Sequence, residues 1–467
     1  MSIEKALETF HRLRPALLND LFEFLRFPTI SARPEHKPEM ARCAAWVGDR
    51  LTAAGLDARV IETSGHPAVI ADGGPPASPS APALLVYGHY DVQPVGQEDL
   101  WHSRPFEPVV RDGAIYARGS ADDKGQLMIH LAVARVLREA GLPWPVRLKF
   151  LVEGEEEIGS PGLPGLLRQQ QAALACDYVL ISDTSKHDQD TPALTCGTRG
   201  LVYKEIVVSG PSRDLHSGQF GGTVANPANV LAAIIAGLHD RDGRVAVKGF
   251  YEDVAPIDER QEWLSALPEI SDEQLRQATG SPCPFGEAGF TTARRRTVRP
   301  TLDVNGLLAG YTGQGAATVI PAQASAKISM RLVPDQDPQK VSEAFDATVR
   351  ALCPDAVRLQ IVTHQGCRPY RLPAGLAVLS LAAQALEATY GRKPVMTLEG
   401  GTLPILPLFK EVLGADSLML GFADPNCNLH SPDEFFHLAD FDRGVQCILR
   451  FLFAVASPPA GHGPLRS

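Results

Sequence analysis

The sequence lacks a long apolar run, an excess of positive charge and any C-x-x-C pair. No stretch approaches the ~20 apolar residues of a membrane-spanning helix, so we expect no membrane partner. The formal net charge is -10 and the isoelectric point is about 5.7. This charge argues against a nucleic-acid partner, which would favour a basic protein face. What remains is typical of soluble enzymes.

The eight cysteines are spread along the chain without a metal-binding or redox spacing. Their even number is compatible with disulfides, but the chain is large. Its N-terminal segment carries Glu4, Glu8, Asp20 and Glu23, which a secretory signal would not. Disulfides are a device of small secreted domains more than of large chains. We therefore predict free, mostly buried thiols and a cytoplasmic location.

The length of 467 residues exceeds what one hydrophobic core normally holds, so two domains are expected. Strand-like runs alternate with helical patterns over residues 1–199 and again over residues 372–456. This alternation predicts an α/β domain with a mostly parallel central sheet flanked by helices. Residues 200–371 combine half-exposed strands with helices, which predicts an inserted α+β domain. Residues 457–467 are expected to form a disordered tail.

Polar side chains follow predicted buried strands, or lie at loop edges, at five separate places in the chain. The set is His89, Asp91, Asp122, Asp123, Glu156, Glu157, Asp183 and His430. Because the carboxyl ends of parallel strands face the usual ligand crevice, we expect these groups to meet. Two imidazoles and four or more carboxylates are enough to hold two zinc-class ions with one carboxylate shared between them.

Each of these motifs, taken alone, has a plainer interpretation. The His89 segment could be a surface turn, and aspartates at a helix start often only complement the helix dipole. A glutamate cluster such as Glu156-Glu157 is usually a solvated face, and a lone histidine such as His430 is more often structural. The interpretation as a metal centre therefore depends on the whole set.

Taken together, the motifs resemble those of the di-zinc aminoacylase, carnosinase and dipeptidase family of metallopeptidases. The similarity runs from residues 27–31 to residues 429–432, nearly the whole chain. The long insertion around residues 250–254 is most similar to the branch of the cytosolic nonspecific dipeptidase. The resemblance implies a catalytic domain with an inserted lid and dimerisation domain that closes over the site.

The resemblance also implies a role for each member of the polar set. The implied metal ligands are His89 and Asp183 for one ion, Glu157 and His430 for the other, and Asp122 for both. Asp91 would orient His89, and Glu156 would act as general base and then as general acid. The family keeps the peptide bond after its bridging aspartate cis, here Asp122–Asp123. The expected cofactors are two divalent ions, Zn²⁺ first, with Mn²⁺ or Co²⁺ as alternatives.

Three further segments match the family. His216 resembles the lid histidine that reaches the partner subunit's site and stabilises an oxyanion, which implies a homodimer; a loop histidine that caps a turn is the plainer alternative. Arg331 resembles the arginine that holds the substrate carboxylate, for which a guanidinium offers two parallel hydrogen bonds. The loop that meets the substrate's amino end is matched by Glu399, Gly400, Gly401 and Thr402.

The sequence thus predicts a di-metal hydrolase that cleaves the amide bond of dipeptides or short peptides, with metal-activated water and Glu156 as base. Two departures leave the substrate open. Thr402 stands where relatives commonly have serine, and residues 365–371 offer no second substrate-binding histidine. The alternative is an N-acyl-amino-acid deacylase of the same family. A binding protein that lost catalysis is disfavoured by the intact set of acids and histidines.

Overall fold

The computed structural model describes residues 2–256, 270–373 and 375–457. The chain divides into two compact units. Unit 1 comprises Met1–Cys196, Leu372–Thr397 and Leu408–Ser467, and unit 2 comprises Gly197–Arg371 and Leu398–Pro407. Residues 458–467 of the expected disordered tail lie outside the described residues. No helix in the described ranges has the length and hydropathy needed to cross a membrane.

The helices and strands are numbered in chain order. The helices are α1 (Ile3–Leu25), α2 (Lys37–Ala53), α3 (Lys124–Glu139), α4 (Leu163–Gln169), α5 (Gln171–Leu174), α6 (Ser217–Phe220), α7 (Pro227–Ala236), α8 (Asp272–Thr279), α9 (Thr292–Thr297), α10 (Pro338–Leu352), α11 (Ala377–Tyr390), α12 (Ile405–Leu413) and α13 (Leu438–Ala456). The strands are β1 (Asp57–Ile61), β2 (Ala68–Asp72), β3 (Ala83–His89), β4 (Val109–Arg111), β5 (Ala114–Tyr116), β6 (Arg147–Glu153), β7 (Tyr178–Ile181), β8 (Ala193–Thr198), β9 (Gly200–Ser209), β10 (Leu215–His216), β11 (Thr301–Ala309), β12 (Val319–Ile320), β13 (Gln323–Leu332), β14 (Arg358–Cys367), β15 (Tyr370–Arg371), β16 (Val395–Glu399), β17 (Asp416–Met419) and β18 (Phe435–His437).

The central sheet of unit 1 is mixed, so the prediction of a mostly parallel sheet is not confirmed. Seven of its strands lie in the order β1-β2-β6-β3-β7-β17-β8. The inner pairs β6-β3, β3-β7 and β7-β17 are parallel. The outer pairs β1-β2, β2-β6 and β17-β8 are antiparallel. A short connection joins β1 to β2, and such a connection allows only antiparallel pairing, whereas parallel neighbours need a long crossover.

The parallel centre of this sheet brings three chain segments to one edge. His89 at the end of β3 pairs in register with Glu153 at the end of β6, and Tyr87 pairs with Ile181 at the end of β7. The loops that follow these strands therefore start side by side. Helix α3 lies in the crossover connection from β3 to β6. It is buried along most of its length.

Unit 2 is built on a four-stranded antiparallel sheet in the order β11-β13-β9-β14. Helices α7 and α10 pack on this sheet through a core that includes Ile206, Leu231, Ile328 and Phe345. An asparagine followed by a proline favours a helix start, and α7 begins at this point: the Asn226 side chain accepts a hydrogen bond from the Ala228 amide, and Pro227 occupies the first helical position. The predicted α+β character of this segment agrees with the observed elements.

All eight cysteines are free. Four are buried, three are half-buried, and only Cys283 is exposed. Burial raises the pKa of the Cys43 thiol to about 12, so this thiol stays protonated at neutral pH. The prediction of free thiols is confirmed.

The buried His130 of α3 predicts a pH dependence of folding stability. Its Nε2 lies 2.9 Å from Ser182 Oγ, and burial lowers its pKa from 6.5 to about 3. The ring is therefore neutral in the folded chain, whereas the unfolded chain takes up a proton near its ordinary pKa. The stability conferred by the neutral ring is present above pH 6.5 and is lost as the pH falls toward 3. Between pH 6.5 and about 4.5, the wild type should lose about 2 to 3 kcal/mol more unfolding free energy than His130→Gln.

Urea denaturation of the two proteins at both pH values measures this difference. A chelator is present throughout, because metal affinity itself depends on pH and would otherwise contribute. Equal losses of unfolding free energy in wild type and variant would contradict the prediction.

Candidate active site

His89 ends β3 with its side chain fully buried. Its Nδ1 lies 3.1 Å from the carbonyl oxygen of Asp91 and 3.3 Å from Asp91 Oδ1. Its Nε2 points the other way, 3.1 Å from Asp122 Oδ1 and 3.7 Å from Asp183 Oδ2, and makes no hydrogen bond of regular geometry among the described residues. Asp91 thus holds one ring nitrogen and directs the other toward two carboxylates.

Asp122 lies between the two predicted histidines. While Oδ1 faces His89, Oδ2 lies 3.0 Å from His430 Nε2, which is also 3.4 Å from Glu157 Oε2. The predicted ligand residues therefore form two groups whose potential ligand atoms lie within 4.8 Å of one another. The groups are His89, Asp122, Asp183 and Asp122, Glu157, His430. Asp122 belongs to both.

The loop that follows Asp122 also has a predicted feature. The peptide bond Asp122–Asp123 is cis, as the resemblance implies. The Asp123 side chain is buried, and its Oδ2 accepts a hydrogen bond of 3.3 Å from the His89 amide. The Asp122 loop is thereby fastened to the end of β3.

Glu156 and Glu157 begin a short 3-10 turn, Glu156–Ile158, after β6. Their amides donate to the two carboxylate oxygens of Asp91, at 3.2 and 3.1 Å. Asp91 therefore links His89 to both glutamates. Gln93 holds the Glu157 carboxylate through its amide, 3.1 Å from Oε1, and its side-chain nitrogen, 2.9 Å from Oε2. No hydrogen bond or salt bridge within the described ranges holds the Glu156 carboxylate.

The crowding of buried carboxylates shifts their pKa values. Burial raises the pKa of Asp183 well above its ordinary range, and the charges of Asp122 and Asp123 add to this. Burial, with Asp122, also raises the pKa of Glu157 to about 8. Burial acts in the same direction on Asp122, but the close contacts with the His430 and His89 rings outweigh it and hold the Asp122 pKa well below its usual value. Such a concentration of negative charge favours bound cations.

Unit 2 assembles the predicted substrate residues around Arg331. Arg331 Nη1 donates to Thr402 Oγ1 at 2.8 Å. The preceding glycines of this loop are held by Arg199, whose Nε donates to the Gly400 carbonyl at 2.8 Å and whose amide donates to the Gly401 carbonyl at 3.1 Å. Burial, and then the charge of Arg331, lowers the pKa of Arg199 to about 10. Two guanidinium groups therefore flank one glycine loop.

Glu399 lies at the start of the same loop and is exposed. Its Oε1 accepts a hydrogen bond of 3.3 Å from the Gly401 amide. One carboxylate oxygen thus stabilises the loop, and the exposed carboxylate remains available to a cationic group.

His216 is exposed at the end of β10, which pairs with β12. Its Nδ1 accepts a hydrogen bond of 3.0 Å from the Gly218 amide and so caps α6. The plainer alternative of a turn-capping histidine therefore describes a contact that is present. Because Nδ1 is an acceptor, the proton of the neutral ring is on Nε2, which is left as a donor.

Comparison with known proteins identifies the family. Residues 85–454 match the description "Peptidase family M20/M25/M40". The chain belongs to this family. The prediction of a metallopeptidase is thereby confirmed, together with the resemblance on which it depended.

Individual M20 relatives match almost end to end. The chain is 31% identical to the Cys-Gly metallodipeptidase DUG1 of Saccharomyces cerevisiae, over 98% of this chain and 99% of the relative. The structure of the M20 family metallo-carboxypeptidase Sso-CP2 from Sulfolobus solfataricus has a TM-score of 0.83 at 32% identity, covering 94% of this chain and 99% of that one. Human carnosine dipeptidase 1 has a TM-score of 0.81 at 25% identity, covering 98% and 99%.

Sequence reasoning gave no role to several residues that orient predicted site residues within their own unit. In unit 1 these are Gln93, Arg118 and Glu434, and in unit 2 Arg199. Glu434 lies four residues after His430, and Arg118 lies four residues before Asp122. Because both residues lie close in sequence to predicted metal ligands, a role at the site could have been expected for them. Nothing in the sequence around Gln93 or Arg199 indicates their hydrogen-bond partners.

Proposed function

We propose that this peptidase is a di-metal dipeptidase, which hydrolyses the amide bond of dipeptides or short peptides. The observation that carries the proposal is the position of Asp122 in two overlapping groups of nitrogen and oxygen donors. A carboxylate with one oxygen near each of two histidines is the arrangement that a shared ligand of two ions requires.

The donor set fits two divalent ions of the zinc class. Each group offers one imidazole and two carboxylates, the nitrogen and oxygen donors that zinc, manganese and cobalt accept. His89 Nε2 is buried and makes no regular hydrogen bond with a described residue, and a buried polar atom of this kind calls for a partner. The identity of the metal and the cytoplasmic location stay predictions of the sequence.

Glu156 is the proposed general base. Two bound ions would lower the pKa of a water molecule and polarise the scissile carbonyl. Burial raises the pKa of Glu156, which brings this carboxyl closer to the neutral range where a base works best. Its carboxylate takes the proton from water as the oxygen attacks the carbonyl carbon. The same carboxyl then returns the proton to the leaving nitrogen.

His216 is the proposed donor to the developing oxyanion. Its Nδ1 is occupied by the Gly218 amide, so Nε2 presents an N–H to solvent. A preorganised donor of this kind stabilises the negative charge that forms when the tetrahedral intermediate is made.

Arg331 and Glu399 support a dipeptide rather than an N-acyl amino acid. A dipeptide carries a free carboxylate and a free ammonium, and the glycine loop has an arginine and an exposed glutamate beside it. The relatives named as a dipeptidase and as a carboxypeptidase act on substrates that share the free carboxylate. Only the dipeptide would use both charged residues.

Arg331→Ala is expected to lower kcat/KM for an unblocked dipeptide by about 10- to 100-fold, the effect of losing charge-assisted hydrogen bonds. The C-terminal amide of the same dipeptide should lose much less, because it offers no carboxylate to the guanidinium. Steady-state kinetics of wild type and variant on both substrates measures the ratio. Equal losses on the two substrates would argue against a carboxylate clamp.

The proposed homodimer is supported by β11, which lies at an edge of the unit 2 sheet and has no further strand paired to it among the described residues. Edge strand β11 exposes Val304, Leu307 and Leu308, the last two by 61% and 62%. An apolar sheet edge in water favours pairing with a second chain. In a two-fold dimer both chains contribute the same surface patch, so the two copies of Leu308 enter one interface.

Leu308→Glu should therefore weaken self-association by roughly 100-fold or more, since like charges brought together at an interface cost several kcal/mol. Sedimentation velocity of wild type and variant over a concentration series tests this. Val110→Glu, at an exposed residue of β4 in unit 1, is the matched control and should leave the mass unchanged. A monomeric wild type, or a dimeric Leu308 variant, would contradict the proposed interface.

A substrate panel tests the proposed function as a whole. The metal-loaded protein is offered dipeptides, their N-acetylated forms and simple N-acyl amino acids. We expect turnover of the dipeptides and a large loss on N-acetylation. Preference for the blocked substrates would assign the chain to the deacylases instead.

A further inference from the structure

The Glu434 carboxylate accepts four hydrogen bonds beside the candidate metal centre, although none of the proposed catalytic steps involves it. The side chain is fully buried. Oε1 accepts hydrogen bonds from the amides of Ala121 and Asp122, at 2.8 and 3.1 Å. Oε2 accepts from the Gly119 amide at 3.0 Å and from Arg118 Nη1 at 2.7 Å. All four contacts are donors, which suits an ionised carboxylate.

Local structure explains why Glu434 contacts the loop that leads to Asp122. Strand β18 starts at the next residue and pairs with β5, where Phe435 lies opposite Tyr116. The Glu434 carbonyl continues this pairing by accepting from the Ala117 amide at 3.1 Å. The side chain is thereby laid along the segment that leads to Asp122. His430 precedes Glu434 by four residues in the chain. It lies in a loop where His430 and Asp433 both have positive φ.

The neighbours of Glu434 fix the same loop from its other side. The Ala121 amide donates to Glu434, and the Ala121 carbonyl accepts from Gln126 Nε2 at 2.9 Å. Gln126 Oε1 in turn accepts from the Phe422 amide at 2.8 Å. Arg118 is also fully buried, and its Nη2 donates to the Pro94 carbonyl at 3.2 Å. The peptide before Asp122 is therefore held at both its amide and its carbonyl.

We propose that Glu434 is a positioning residue of the metal centre. Its carboxylate joins the Asp122 loop to the His430 loop, so that Asp122 is presented to two ions at once. The inference rests on the proposed di-metal function, because it concerns the sharing of Asp122. Groups that orient metal ligands commonly change metal affinity when they are replaced.

Two substitutions separate this role from a purely structural one. Glu434→Gln keeps the shape but replaces one oxygen by an NH₂ group that faces N–H donors. Glu434→Asp keeps the charge opposite Arg118 but shortens the side chain, so that it cannot reach Arg118 and all three amides together. The matched control is Glu287→Gln in unit 2, where a buried carboxylate accepts two hydrogen bonds of 2.7 Å from Arg299.

The experiment measures Zn²⁺ affinity of each full-length protein by competition with a chromophoric chelator, and thermal unfolding of each metal-free protein. Both Glu434 variants should bind Zn²⁺ about 10- to 100-fold more weakly than the wild type. Glu287→Gln should keep wild-type Zn²⁺ affinity even if its metal-free form unfolds at a lower temperature.

Wild-type Zn²⁺ affinity in a folded Glu434→Gln or Glu434→Asp protein would overturn the inference, as would an equal loss in the Glu287 control. If both Glu434 variants fail to fold while the control folds, Glu434 serves folding rather than metal geometry, and the inference is also overturned. A wild type that does not bind two ions would instead refute the proposed function, and the two failures are therefore distinguishable.

Discussion

Asp122→Ala is expected to abolish binding of both metal ions and to lower turnover by roughly 1,000-fold or more. The substitution removes the one carboxylate that belongs to both ligand groups. Charge stabilisation by a bound metal is worth several kcal/mol, and each step of about 1.4 kcal/mol changes a rate tenfold. Metal analysis after equilibration with Zn²⁺, together with dipeptide turnover, measures both effects.

Asp183→Ala provides the contrast for this result. Asp183 belongs to only one group, so its loss should leave the group of Asp122, Glu157 and His430 able to bind one ion. The expected stoichiometries are two ions for the wild type, one for Asp183→Ala, and none retained by Asp122→Ala. The same stoichiometry in the two variants would argue against a shared carboxylate.

Glu156→Gln is expected to keep both ions and to lower kcat by about 100-fold or more, the scale of a positioned acid–base group. Glu156 lies outside both ligand groups, and no hydrogen bond within the described residues holds its carboxylate. The glutamine side chain cannot accept the proton from water. The turn Glu156–Ile158 is still held, because the main-chain amide of residue 156 donates a hydrogen bond to the Asp91 carboxylate. Metal content and kcat are measured on the same preparation.

The neighbouring Glu155→Gln is the matched control. Glu155 is buried, and its carboxylate accepts a hydrogen bond of 3.0 Å from the Gly162 amide, which a glutamine oxygen can still accept. We expect this variant to keep kcat within a few-fold of the wild type. Near wild-type turnover in metal-loaded Glu156→Gln would refute the role of Glu156 as base.

The sequence predicted the ends of the inner strands well, because burial on both faces produces continuous apolar runs. Apolar runs at residues 83–87, 146–152 and 178–181 predict three strands, and β3, β6 and β7 agree with them to within two residues at each end. Since polar residues at the ends of parallel neighbours must lie close together, the convergence of His89, Glu157 and Asp183 was also predictable. The edge strands β1 and β11 were not predicted. Their residues are largely exposed and show no burial pattern.

Two further features of unit 1 could not be predicted from the sequence. They are the mixed strand directions of the sheet and the break between α4 and α5. Strand direction at the sheet edges depends on pairing between segments, which local patterns do not encode. The sequence of residues 163–173 predicts one continuous helix, whereas Gln170 leaves the helical conformation and separates α4 from α5. These are effects of tertiary context, which overrides local propensity.

The residues that orient the site were the hardest to predict. Asp91 was expected to face His89, but not to accept hydrogen bonds from the amides of Glu156 and Glu157. Gln93 and Glu434 act on loops far from their own positions in the chain. Hydrogen bonds of this kind depend on loop conformations that only the folded chain defines. A single sequence reports the residue types of a site better than the network that supports them.

Anomalous diffraction at the zinc absorption edge, from crystals of the zinc-loaded protein, tests the central claim most directly. Two peaks are expected, one among His89, Asp122 and Asp183 and the other among Asp122, Glu157 and His430, with the Asp122 carboxylate between them. A single peak, or peaks away from Asp122, would contradict the proposed di-metal centre.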